Sequence, residues 1–98
     1  MATTISIEVD FPTGNITVAP TLANDKRGEP VTFQTKNRAS LTISFPAQSP
    51  FDEQQIRDPQ GSVTRKIVGA KGSYHYNVAV LMDGRIFVIP GCPEIVVQ

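Results

Sequence analysis

The single histidine of this 98-residue chain, His75, stands in the segment Gly72-Ser73-Tyr74-His75-Tyr76-Asn77. An imidazole that titrates near neutral pH can serve as a general base or as a metal ligand. A catalytic triad also needs a nucleophile and an orienting carboxylate, and no Gly-x-Ser-x-Gly or comparable local motif is present. On a strand, His75 faces away from Tyr74 and Tyr76, which makes it a surface or strand-packing residue. Cys92, the only cysteine, lies between Gly91 and Pro93. Nothing cationic adjoins it in sequence to lower its pKa, so it reads as an inert thiol. One cysteine allows neither an intramolecular disulfide nor a thiolate metal cluster. The nine Asp and Glu residues are scattered, with no assignable pair for glycoside chemistry. The loop around Asp25 lacks the spaced acids of a calcium site, and no Gly-rich phosphate cradle occurs. Asn15-Ile16-Thr17 matches a glycosylation acceptor, which matters only in a secreted protein. These residues predict no catalytic group, no metal site and no cofactor, and so a protein that is not an enzyme.

Composition narrows the partners. Nine Lys and Arg balance nine Asp and Glu. Nucleic-acid binding needs a cationic surplus to displace counterions, and none is available. No apolar run approaches a membrane span. The N-terminal segment alternates in character and carries acids by residue 10, without the basic and apolar regions of a signal peptide. The expectation is a cytoplasmic protein, although an exported domain whose leader had been removed would look the same. Apolar residues make up 40% of the chain, an ordinary globular share. The length fits one domain spanning residues 1–98.

The elements that must hold these side chains follow a period of two almost throughout. Ile5, Ile7, Val9 and Phe11 alternate with polar residues, and Phe11-Pro12-Thr13-Gly14 reads as a type I turn. Ile16 and Val18 continue the pattern to Pro20, and the polar stretch Asn24–Glu29 reads as a loop. Val31, Phe33 and Thr35 form a third strand; Leu41, Ile43 and Phe45 form a fourth. Ser49-Pro50-Phe51-Asp52-Glu53 has the order of a helix start: a capping serine, proline in the first turn, acids near the positive end. Asp58-Pro59-Gln60-Gly61 stops it within one or two turns. Strands resume at Val63–Val68, Tyr74–Met82, Arg85–Ile89 and Glu94–Val97. About eight short strands between Gly and Pro turns predict an all-β sandwich with one short helix. Phe33, Phe45, Tyr74 and Tyr76 alternate among aliphatics, as core residues do, rather than standing beside basic residues as base-stacking platforms do.

Several of these segments together resemble the cupredoxin family. Gly28-Glu29-Pro30-Val31-Thr32-Phe33 is similar to that family's G-x-x-V-x-F strand, and Gly72-Ser73-Tyr74-His75-Tyr76 to the G-x-Y-x-[YF] segment leading into its copper loop. The resemblance covers most of the chain and implies a two-sheet, mixed Greek-key sandwich. It does not bring the copper. Such sites use two His, a Cys and usually a weak axial Met. With Tyr76 matched to the second aromatic, the Cys position falls at Val78, the His positions near Leu41 and Leu81, and the Met near Ile86. All four are aliphatic, and one histidine forbids the site in any register. Asp83-Gly84 also predicts a tight type I′ hairpin turn where the family has its ligand loop.

That hairpin carries the most specific expectation. If Met82 pairs with Arg85, Val80 faces Phe87 and Val78 faces Ile89 on the side of Tyr74 and Tyr76. The other side then carries Leu81 beside Ile86 and Ala79 beside Val88. A half-exposed sheet shows one apolar and one polar face, yet this hairpin is apolar on both. Ala79, Leu81, Ile86 and Val88 are therefore expected to be covered. A second copy in a two-fold dimer would do so, and so would the short helix near Phe51 and Ile56. The functional expectation is a non-enzymatic protein-interaction or self-association module. The alternative is a small-ligand or carbohydrate-binding domain using the loops at one end of the sandwich. A flat apolar sheet face favours the first, and a concave loop end with exposed aromatics the second.

Overall fold

Alternating burial sets the elements, and long-range pairing sets the sheets. The computed structural model describes residues 3–10, 15–36, 39–82, 84–89 and 93–98. The expected turn at Phe11–Gly14, the turn residue Asp83 and the thiol of Cys92 lie outside the described residues. The strands are β1 (Thr3–Asp10), β2 (Asn15–Ala19), β3 (Leu22–Asp25), β4 (Pro30–Thr35), β5 (Ser40–Ser44) and β6 (Gln55–Asp58). They continue with β7 (Ser62–Lys66), β8 (Gly72–His75), β9 (Asn77–Met82), β10 (Arg85–Ile89) and β11 (Glu94–Val97). Among the described residues no helix is formed, and none is long and apolar enough to cross a membrane.

The described residues are all-β, but they form three sheets rather than the expected two: β2-β1-β4-β7, β10-β9-β5-β6 and β3-β11-β8. Two pairs run parallel, β1 with β4 and β11 with β3; the others are antiparallel. Strand β2 approaches β10, and β6 approaches β7, so the two four-stranded sheets meet at their edges. Their inward residues share one hydrophobic cluster. At its centre Phe33, Phe45, Phe51 and Tyr76 make edge-on or tilted ring contacts with centroids 5.6–6.0 Å apart.

The third sheet comes from a strand that changes partners. The run Tyr74–Met82, read from the sequence as one strand, is two. Strand β8 pairs with β11, whereas β9 pairs with β5 and β10. Between them the Tyr76 N–H donates to the Pro93 carbonyl at 3.1 Å. Tyr74, Tyr76 and Val78 all stay buried across the switch, so the alternation gives no sign of it. Likewise Asn24 and Asp25 belong to β3, not to a loop, because β11 supplies a parallel partner from the far end of the sequence.

The expected helix at Ser49–Glu53 is absent. Ser49 Oγ does accept the Phe51 N–H at 3.0 Å, but in a turn rather than a helix cap. The Pro50 carbonyl, which would accept in the first turn of the helical ladder, instead accepts Val68 N–H at 2.8 Å and Gly69 N–H at 2.9 Å. Gln54 Nε2 donates to the Phe45 carbonyl at 2.9 Å and the Ala47 carbonyl at 2.5 Å, closing the segment as a loop. Phe51 enters the core, and β6 follows directly.

Candidate functional site

The β9–β10 hairpin has the register read from its alternation: Met82 with Arg85, Leu81 with Ile86, Val80 with Phe87 and Ala79 with Val88. A two-residue loop results, and Gly84 sits in it at φ 73°, a conformation open to glycine at little cost. Val78 and Val80 are buried and Phe87 is half-buried. On the other face Leu81 is 48% exposed, Ile86 70% and Val88 61%, with Ala79 half-buried between them. The four residues expected to form an apolar patch are therefore brought together on one surface. The expectation that a helix near Phe51 and Ile56 covers them is overturned. Both of those side chains are buried in the core on the inner side of the sheet.

The patch grades into polar surface along the sheet. Ser40 of β5 lies across from Leu81 and Thr42 from Ala79, and Arg57 of β6 lies across from Thr42. These residues border an open groove of about 390 Å³ beside Leu81 and Ile86. The sheet order leaves β10 as an edge strand, a property its sequence does not carry. In an antiparallel ladder beginning at Met82–Arg85, residues 85, 87 and 89 bond inward to β9, while the N–H and C=O of Ile86 and Val88 point away. Among the described residues, neither makes a backbone hydrogen bond to any other element.

Among the described residues the polar side chains are dispersed. His75 is exposed on β8, across from Glu94 of β11, with Nε2 3.8 Å from Glu94 Oε2. Among the described residues no three His, Cys, Asp or Glu side chains are grouped to hold a metal. Asn15 stands exposed at the start of β2. Another open groove, of about 560 Å³, is lined by Gln34, Thr35, Pro59, Gln60, Gly61 and Ser62, and so offers neither an aromatic ring nor a titratable group.

Two buried polar groups escaped the sequence reading. Asp25 is only 2% exposed; its Oδ1 accepts the Thr3 hydroxyl at 2.7 Å, and its Oδ2 has no partner among the described residues. The hydroxyl of Tyr76 is likewise buried without a partner among the described residues, and burial pushes its pKa up. The alternation Ala23, Asp25 within β3 was the available signal for the first. The second had none, because Tyr76 fits the core pattern as well as phenylalanine would.

No protein-family model and no curated protein sequence matches the chain. Solved structures do. Pseudoazurin from Methylobacterium extorquens AM1 matches with a TM-score of 0.60 at 14% identity, over 100% of this chain and 76% of that one. A Sinorhizobium pseudoazurin gives 0.57 at 17% identity, over 100% and 75%. A reduced Cu(I) form of an amicyanin variant gives 0.55 at 15%, over 97% and 82%. The fold is cupredoxin-like. The residues that the sequence resemblance matches to copper ligands do not fit the metal. Leu41 and Val78 are core aliphatics, while Leu81 and Ile86 lie on the opposite face of the same sheet. None can donate an electron pair, and the four do not converge.

Proposed function

We propose that the protein is a non-enzymatic interaction module, one that self-associates or docks into a larger assembly, built on a cupredoxin-like scaffold without copper. The observation that carries this reading is the outer face of β9 and β10. Leu81, Ile86 and Val88 stand together and exposed there, with Ala79 between them. Single apolar residues on a surface are ordinary, but a contiguous cluster marks a contact surface. The ligand-binding alternative has less support, since the polar groove beside Gln34 and Gln60 has no aromatic ring on which a sugar could stack.

The test is the pair of substitutions Leu81→Lys and Ile86→Glu. Because both side chains point outward, the double variant is expected to fold with the wild-type melting temperature within a few degrees and to remain soluble. Sedimentation velocity is expected to show that it has lost the association of the wild type. A variant that associates as the wild type does would contradict the reading.

A further inference from the structure

We infer that the open groove across the outer face of β10, β9, β5 and β6 binds a medium-chain fatty acid, its alkyl chain on Ile86, Leu81 and Ala79 and its carboxylate on Arg57. This goes beyond the interaction-module reading and does not rest on it. The groove holds about 390 Å³, within the roughly 300–1,000 Å³ of small-molecule sites. Its lining changes character in one direction across the strands. In one row Ile86 neighbours Leu81, and Leu81 neighbours Ser40; in the next, Ala79 neighbours Thr42, and Thr42 neighbours Arg57. The groove is thus apolar at the β10 end, hydroxyl-bearing in the middle and cationic at the β6 end. The apolar end presents only aliphatic groups, with no ring on which a sugar or an aromatic ligand could stack, so it suits a plain alkyl chain. Three strand spacings separate β10 from β6, about 14 Å in all, the reach of an extended medium-length chain with its head group.

Arg57 sets the sign of that head group. It is exposed, and among the described residues its side chain makes neither an ion pair nor a hydrogen bond, whereas Lys36 and Arg65 are paired with Glu8 and Glu53. The outward positions of β10, β9, β5 and β6 carry no acid among the described residues. A guanidinium offers a planar fork of donors that matches a carboxylate, and the hydroxyl of Thr42 stands beside it as a further donor. Asp58 borders the same end of the groove, with its Oδ2 already accepting the Ser62 N–H at 2.7 Å. Its negative charge favours a singly charged carboxylate over a doubly charged phosphate ester.

Isothermal titration of the full chain with decanoate, below its micelle concentration, is expected to show one site. Decyltrimethylammonium, with the same chain and the opposite charge, is expected to bind about tenfold more weakly or worse, and dianionic decyl phosphate also more weakly than decanoate. Arg57→Glu is expected to lower the affinity for decanoate by about tenfold or more without weakening the binding of decyltrimethylammonium. Because Arg57 is exposed, the variant is expected to keep the wild-type melting temperature within a few degrees. Independently of any variant, saturating decanoate is expected to shift the methyl NMR signals of Ala79, Leu81 and Ile86 but not those of Leu22 and Val68, exposed aliphatics elsewhere on the chain. Absence of decanoate binding, equal binding of either other probe, or shifts spread to Leu22 and Val68 overturns the inference. A wild type that associates but takes up no decanoate overturns this inference alone. One that takes up decanoate at the three methyl sites without associating leaves it standing while the interaction-module reading fails.

Discussion

Tyr76 illustrates how one side chain can satisfy the packing of a core and violate its polar accounting. Its ring packs tilted or edge-on against Phe45 and Phe33, while its hydroxyl is buried with no acceptor among the described residues. An unsatisfied buried hydroxyl costs about 1–3 kcal/mol, so Tyr76→Phe is expected to stabilise the domain by ~1 kcal/mol after the small void left behind. The same substitution should change the alkaline limit. Burial raises the folded hydroxyl's pKa above the unfolded value of about 10. Below about pH 10 the group is neutral in both states and its contribution is complete. Above it the unfolded chain releases the proton first, and stability falls by about 1.4 kcal/mol per pH unit until the folded hydroxyl also ionises. Denaturant melts at about pH 8 and pH 11 are therefore expected to show a larger loss for the wild type than for Tyr76→Phe. Equal losses would remove this account. Asp25, buried with one hydrogen bond from Thr3, is the other residue at which polar cost is concentrated.

At the scale of elements, the turn joining β6 to β7 is the most constrained. Gly61 holds φ 74°, and its carbonyl accepts Thr35 N–H at 2.7 Å and the Thr35 hydroxyl at 3.3 Å. A methyl group there would collide with Thr35 Oγ1 and the Ala39 carbonyl. Gly61→Ala combines left-handed strain with overpacking, and thermal denaturation is expected to report a loss of about 2–4 kcal/mol. What the sequence disclosed about such elements depended on whether the cause was local. The alternation at Ile5 and Ile7, at Leu41 and Ile43, and through the β9–β10 hairpin stated both strand and face. The four patch residues followed from it. The change of sheet at Tyr76 leaves alternation intact and so left no trace. Strand β3 depends on a partner about seventy residues away, which no local pattern encodes. Ser49-Pro50 offered true capping chemistry, but the Pro50 carbonyl found Val68 and Gly69 first. The edge position of β10 is a property of sheet order alone.

For the whole molecule, the contrast lies between a shared scaffold and aliphatic residues where the sequence resemblance would place copper ligands. Fold similarity across 75–82% of the pseudoazurin and amicyanin chains comes with 14–17% identity, and the positions that the sequence resemblance matches to copper ligands are core or outward aliphatics. Function resides in sites rather than folds. Stoichiometric copper or zinc is accordingly not expected to survive dialysis against a mild chelator, and metal analysis after dialysis checks this. The parallel pairing of β11 with β3 carries a consequence of another kind. The small sheet β3-β11-β8 takes its middle strand from Glu94–Val97, so β3 waits for a partner made about seventy residues later. Loop closure over that separation must precede any gain from the contact, which places the chain among slow, high-contact-order folders. Until β11 arrives, the inner edges of β3 and β8 stand open together, and the nascent chain passes through a stage in which a stray strand could occupy the gap.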